Sequence, residues 1–191
     1  MLRPAKTRFT ADEYLAMERV AEYKSEFYGG EIFALAGGTA DHSLIAGNLV
    51  HALNGPLDAS PCRVFNSDMR LHVQRSGLYT YPDVMVICGK IRFVDRRTDT
   101  VTNPLLIIEV LSESTRDYDR GAKLDSYKQI SSLQEYALID SDRARAECYR
   151  RAVDSGWLID TFDGLDAVLR FQSVACEIPM RRIYHKVSWL D

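Results

Sequence analysis

Two short apolar runs, each with a carboxylate at one end, constrain the fold of this chain more than any other feature. Tyr81-Pro82-Asp83-Val84-Met85-Val86-Ile87-Cys88 reads as a buried strand with an acid at its start. Leu105-Leu106-Ile107-Ile108-Glu109-Val110-Leu111 reads as a second buried strand with an acid near its end. If the two pair antiparallel, the start of one lies beside the end of the other, and Asp83 and Glu109 converge at one edge of the core. Two ionised carboxylates are costly to bury without a cation. A hard divalent cation such as Mg2+ is the simplest compensation, because it takes oxygen ligands and few of them from protein.

The 191 residues suffice for a substantial core, and a single domain over 1–191 is expected. Composition is that of an ordinary globular protein. No apolar run approaches the roughly 18 residues of a membrane helix, so no membrane partner is expected. Met1-Leu2-Arg3-Pro4-Ala5-Lys6 lacks the apolar core of a signal peptide. Cys62, Cys88, Cys148 and Cys176 are scattered, with no Cys-x-x-Cys spacing. That argues against a zinc site or a disulfide scaffold and fits a reducing cytoplasm. The net charge of −3 gives no global electrostatic argument for nucleic acid. Local basic groups (Arg92, Arg96 and Arg97; Arg116, Arg120 and Lys123; Arg143, Arg145, Arg150 and Arg151) read mainly as solvated surface.

Thr10 and Glu13 have the spacing of a capping box that opens a short helix. Gly29-Gly30, between Phe27-Tyr28 and Ile32-Phe33, reads as a hairpin turn. Gly37-Gly38-Thr39 breaks the strand and caps a helix that runs to about Leu53, with Pro56 ending it. Ile45, Leu49, Ala52 and Leu53 form its apolar face, with His42 on the same face near the start. Strands are expected at 62–65, 69–73, 81–88, 105–111, 134–139, 147–151 and 157–159, with weaker ones at 167–171 and 177–178. The stretch 89–103 is a long polar loop with a small strand at 91–94. A helix starts at Ser114 and ends near Ile130, and on it Asp119, Lys123 and Tyr127 are spaced four apart, near one stripe. A helical turn is expected at 179–184.

Several stretches together carry a resemblance. They are Ser25-Glu26-Phe27-Tyr28-Gly29-Gly30-Glu31-Ile32, His42, Tyr81-Pro82-Asp83-Val84 and Ile108-Glu109-Val110-Leu111-Ser112-Glu113-Ser114-Thr115, followed by Asp119, Lys123 and Tyr127. In this order they resemble the Uma-type endonuclease family, bacterial members of the restriction-endonuclease-like PD-(D/E)xK superfamily. Pro-Asp alone is weak; the combination spans 25 to about 140. The resemblance implies an α/β (mixed α+β) fold, a central mixed sheet flanked by helices, and metal-dependent hydrolysis of DNA phosphodiester bonds. By that carry-over Asp83, Glu109 and the backbone carbonyl of Val110 bind Mg2+ or Mn2+, and a lysine stabilises charge at the attacking water and assists its deprotonation. The superfamily lysine usually stands two residues after the acid, where this chain has Leu111. Lys123 is the substitute, oriented by an ion pair with Asp119 one helical turn away. Glu26 is favoured over Glu31 as a further acidic group, and His42 is placed to hydrogen-bond a carboxylate or reach the phosphate. Tyr127 is a structural partner. A homodimer is expected by family analogy, since double-strand cleavage needs two sites.

Each role has a plain structural rival. Asp83 could end a turn, Lys123 could lie on a solvated helix face, and His42 could be a satisfied buried histidine. Asp68 and Glu113 read as turn and cap residues. His42 and His51 are nine residues apart and face opposite ways on one helix. No Gly-x-Ser-x-Gly or His-Glu-x-x-His motif is present. The alternatives to a nuclease are a non-catalytic module on the same fold, binding nucleic acid or a protein, and a hydrolase of another phosphate ester.

Overall fold

The computed structural model describes residues 8–35, 37–95, 97–154 and 156–190. The N-terminal segment and Arg96 read above lie outside that set. The capping box forms as the sequence predicts: Thr10 caps α1 (Ala11–Glu18), and Glu13 returns the bond to the Thr10 backbone. β1 (Ser25–Tyr28) turns through Gly29-Gly30 into β2 (Glu31–Ala34). Both glycines have positive φ, 58° and 89°, a conformation that suits residues without a Cβ.

Helix α2 (Ala40–Leu57) starts at the expected Thr39 cap, but Pro56 lies inside it rather than ending it. Leu57 is buried with Ile45, Leu49 and Leu53, so packing carries the last turn past the proline. Next come β3 (Cys62–Asn66), β4 (Arg70–Val73), β5 (Leu78–Thr80), β6 (Val84–Cys88), β7 (Thr100–Val101) and β8 (Leu106–Leu111). The predicted strand over 81–88 begins at Val84, because Pro82 has no N–H to offer the ladder. At 91–94 only an isolated Phe93–Val101 bridge forms.

The helix expected from Ser114 begins later. α3 (Arg116–Tyr118) leads into a π-helical turn (Asp119–Lys123) and then α4 (Leu124–Tyr127), with a kink at Gly121. Ser112 Oγ takes the Thr115 N–H and holds the preceding residues in a turn. The chain closes with β9 (Glu135–Asp140), β10 (Arg145–Arg151), β11 (Trp157–Asp163), β12 (Val168–Phe171), β13 (Cys176–Pro179) and α5 (Met180–Ile183).

Three sheets result among the described residues. The largest runs β11-β10-β9-β8-β6-β3, with β8 and β9 parallel and the other pairs antiparallel. One face of it, with Val84, Val86, Leu106, Ile108 and Ile139, packs on α2 and α5. The other face, with Met85, Ile87, Ile107 and Leu111, packs on β4, β5 and α4 from the side of the sheet β2-β1-β5-β4-β7. This is a mixed α+β architecture with a central mixed sheet, as expected. The cysteine reading is corrected. Cys62 and Cys88 stand opposite each other on β3 and β6 and are disulfide-bonded. Cross-strand register, invisible in sequence spacing, brings them together, so the spacing no longer speaks for a reducing compartment.

Leu49 is fully buried between α2 and the sheet. Leu49→Ala is expected to cost about 2–5 kcal/mol by deleting buried methyl groups and leaving a cavity. A urea unfolding midpoint unchanged from wild type would refute this packing.

Candidate active site at the β6–β8 edge

Register makes the first contact. β6 and β8 run antiparallel with Val84 opposite Ile108, which leaves Asp83 beyond the ladder beside Glu109. The Asp83 carboxylate continues the pairing where the strand has stopped. Val110 N–H donates to Asp83 Oδ2 at 2.8 Å, and Asp83 N–H donates to Glu109 Oε2 at 3.3 Å. The N–H and C=O of one strand residue point to the same side, so the Val110 carbonyl faces the same edge. His42, in the first turn of α2, reaches this corner. Its Nε2 lies 3.3 Å from Asp83 Oδ2.

The far oxygen of Glu109 belongs to a buried charge cluster. Oε1 accepts from Tyr127 OH at 2.8 Å and meets Lys123 Nζ at 2.9 Å. Lys123 Nζ also meets Glu26 Oε1 at 3.2 Å and Asp119 Oδ1 at 3.4 Å. Its side chain is 7% exposed, so it does not point into solvent. The π turn carries both Asp119 and Lys123 inward, and such turns recur at functional sites. Thr80 Oγ1 donates to Glu26 Oε1, and Tyr118 OH to Oε2 at 3.0 Å. Tyr136 OH donates to the Asp119 backbone carbonyl. Thr80, Tyr118 and Tyr136 were not named as site residues from sequence, although Tyr118 lies in the expected helix and Tyr136 in the expected strand over 134–139.

Burial pushes Glu109 from its ordinary 4.5 up to about 8; Lys123 pulls it down, and Asp83 and Asp119 push it up again. Burial likewise raises Asp119. Burial works against the Lys123 charge, yet Glu109, Glu26 and Asp119 hold the ammonium well above the usual range. The Asp83 hydrogen bond raises His42, with burial opposing.

The other residues named from sequence lie elsewhere or serve packing. Leu111 is fully buried in the core. Glu31, His51 and Glu113 are exposed. Asp68 pairs with Lys24 at 2.6 Å. Arg116, Arg120, Arg143 and Arg145 gather around Asp140, Asp142 and Glu147, so their charge is met within the fold.

The donor set fits a hard divalent cation. Asp83, Glu109, Glu26 and Asp119 outnumber the cations that face them, Lys123 and His42. Without metal, protonation of Glu109 relieves that excess; a divalent cation would relieve it by charge. Asp83 Oδ1 has no partner among the described residues, and the Val110 carbonyl adds a third oxygen at that edge. Among the described residues no three His, Cys, Asp or Glu side chains are gathered as a metal group. Two carboxylates and a carbonyl suit Mg2+, which keeps several waters.

Residues 11–180 match the family model Uma2, described as "Putative restriction endonuclease". The chain belongs to the Uma2 family. Two Synechocystis sp. (strain ATCC 27184 / PCC 6803 / Kazusa) proteins, both named as uncharacterized, resemble this Uma2 chain closely. Protein sll1609 is 43% identical over 162 residues, covering 85% of this chain and 92% of its own. Protein slr1290 is 33% identical over 183 residues, covering 95% and 94%. A crystal structure titled "putative nuclease belonging to DUF820", from Anabaena variabilis ATCC 29413, superposes with a TM-score of 0.74 at 23% identity. It covers 96% of this chain and 99% of its own, and it shows that the fold is shared.

Between about pH 4.5 and 8 the folded Uma2 chain holds a proton on Glu109 that the unfolded chain releases. Its contribution to stability is full below the unfolded value and is lost as pH rises through the folded one. Urea midpoints of the metal-free protein are therefore expected to fall across this window, and the fall to be shallower in Glu109→Gln. Parallel profiles for the two proteins would show that Glu109 does not titrate there.

Proposed function

We propose that this Uma2-family chain, acting as one domain, is a metal-dependent endonuclease that hydrolyses DNA phosphodiester bonds. The observation that carries the reading is the convergence of Asp83 and Glu109 at one sheet edge, with the buried Lys123 ammonium 2.9 Å from Glu109. Family membership supports the nuclease class. Asp83, Glu109 and the Val110 carbonyl would hold Mg2+ or Mn2+. Bound there, the cation supplies Lewis acidity toward the phosphate and lowers the pKa of the attacking water.

The chain's own groups do the rest. An ammonium held by three carboxylates gives up a proton poorly, so Lys123 serves as fixed positive charge for the developing phosphorane rather than as the base. Glu26, fixed by Thr80 and Tyr118, and Asp119 hold Lys123 in place. Tyr127 orients Glu109. His42 supports Asp83. No helix among the described residues is long and apolar enough to cross a membrane, and a homodimer acting on DNA is the form in which we place the activity.

A second reading, a non-catalytic module on the same fold, is favoured by Leu111 in the usual lysine position and by the net charge of −3. Plasmid and single-stranded DNA cleavage decides between them. Wild-type protein is expected to cut only with Mg2+ or Mn2+. Asp83→Ala and Glu109→Ala should abolish cutting, and Lys123→Met should lower it by roughly 10²–10³-fold, the scale of losing one preorganised charge-stabilising donor. Cleavage that survives both carboxylate substitutions would refute the site. A folded wild-type protein that binds DNA without cutting it would favour the binding module.

A further inference from the structure

The glycine pair before α2 reads from sequence as a helix cap, but the two positions differ in space. A Cβ built on Gly37 would meet nothing within 4 Å, whereas one on Gly38 would stand 2.6 Å from His42 Nδ1 and 2.9 Å from its Cγ. Gly38 does not have positive φ, so the backbone there accepts an L side chain. What excludes a side chain is the imidazole, which lies back against the Gly38 backbone. In that pose the opposite ring nitrogen, Nε2, stands 3.3 Å from Asp83 Oδ2.

Asp83 Oδ2 thus faces two groups, the Val110 N–H at 2.8 Å and the His42 ring. Together they hold Oδ2, and Oδ1 takes no hydrogen bond among the described residues. Groups that orient a metal-binding carboxylate from behind commonly change metal affinity by about 10–100-fold when removed.

We infer that Gly38 and His42 form a brace that sets Asp83 for a divalent cation: Gly38 seats the imidazole, and the imidazole positions the carboxylate without itself ligating the metal. The inference rests on the metal-dependent reading above and adds two positioning residues to it. His42 acts through Asp83, and Gly38 acts only through His42. The helix cap is not the reason for Gly38, since Thr39 provides the cap through its own side chain.

The chain of action makes a distinctive prediction. Mn2+ affinity, read by electron paramagnetic resonance on the full chain, is expected to fall about tenfold in His42→Gln and by a similar factor in Gly38→Ala. The double variant should be no weaker than the weaker single one, because both remove the same contact. Gly37→Ala, which perturbs the same cap without touching the ring, should bind as wild type. In the metal-free protein, the imidazole nitrogen signals of His42, assigned by their loss in His42→Gln, should shift in Gly38→Ala and not in Gly37→Ala.

Wild-type-like Mn2+ binding in Gly38→Ala would overturn the brace, as would additive losses in the double variant or equal losses in Gly37→Ala. A directly coordinated imidazole nitrogen in the Mn2+ echo-modulation spectrum would also overturn it, by making His42 a ligand. Wild-type protein that binds no Mn2+ would refute the metal reading itself and the brace with it. Binding that is intact in wild type and in both brace variants refutes the brace alone.

Discussion

Lys123 is the charge around which the interior of this protein is arranged. An ammonium buried in a protein interior is expensive unless it is paired and hydrogen-bonded. Here three carboxylates from three elements meet it within 3.4 Å: Glu26 from β1, Glu109 from β8 and Asp119 from the π turn. Each carboxylate is itself too buried to stand alone. The cluster therefore ties the five-stranded sheet to the six-stranded one, with the helical segment spanning both. Removing the ammonium would leave the carboxylates facing one another, which is why stability and any chemistry at this edge are coupled.

The second constraint is the premature end of β6. Pro82 denies the ladder a donor, and Asp83 takes over with its side chain, accepting the Val110 N–H. The same substitution frees the strand's edge for other oxygen chemistry. A longer β6 would have covered the Val110 backbone with another strand's main chain. The break in the strand and the convergence of polar groups are one event, with His42 reaching the gap from the start of α2.

The site is electrostatically incomplete as it stands. The carboxylates exceed the local cations; burial first, and Asp83 and Asp119 after it, push Glu109 up to about 8. At Asp140 and Glu147, by contrast, arginines meet both carboxylates. A buried excess of carboxylate over cation marks a place suited to an additional positive charge.

Much of this was legible in the chain itself. Apolar runs bracketed by acids gave β6, β8 and the meeting of Asp83 with Glu109, because strand period and burial are local properties of sequence. Spacing of four placed Asp119, Lys123 and Tyr127 together, and the glycine turn and capping box were local too. Other features came only from the tertiary structure. The Cys62–Cys88 bridge depends on the β3–β6 register, and Thr80 and Tyr118 reach Glu26 only because separate sheets pack. Pro56 stays helical because Leu57 is needed in the core. Gly38 differs from Gly37 only by where the His42 ring lies. Sequence by itself determined which side chains must be buried and which faces they share; folding decided which buried charges face one another, because that follows from contacts between residues far apart along the chain.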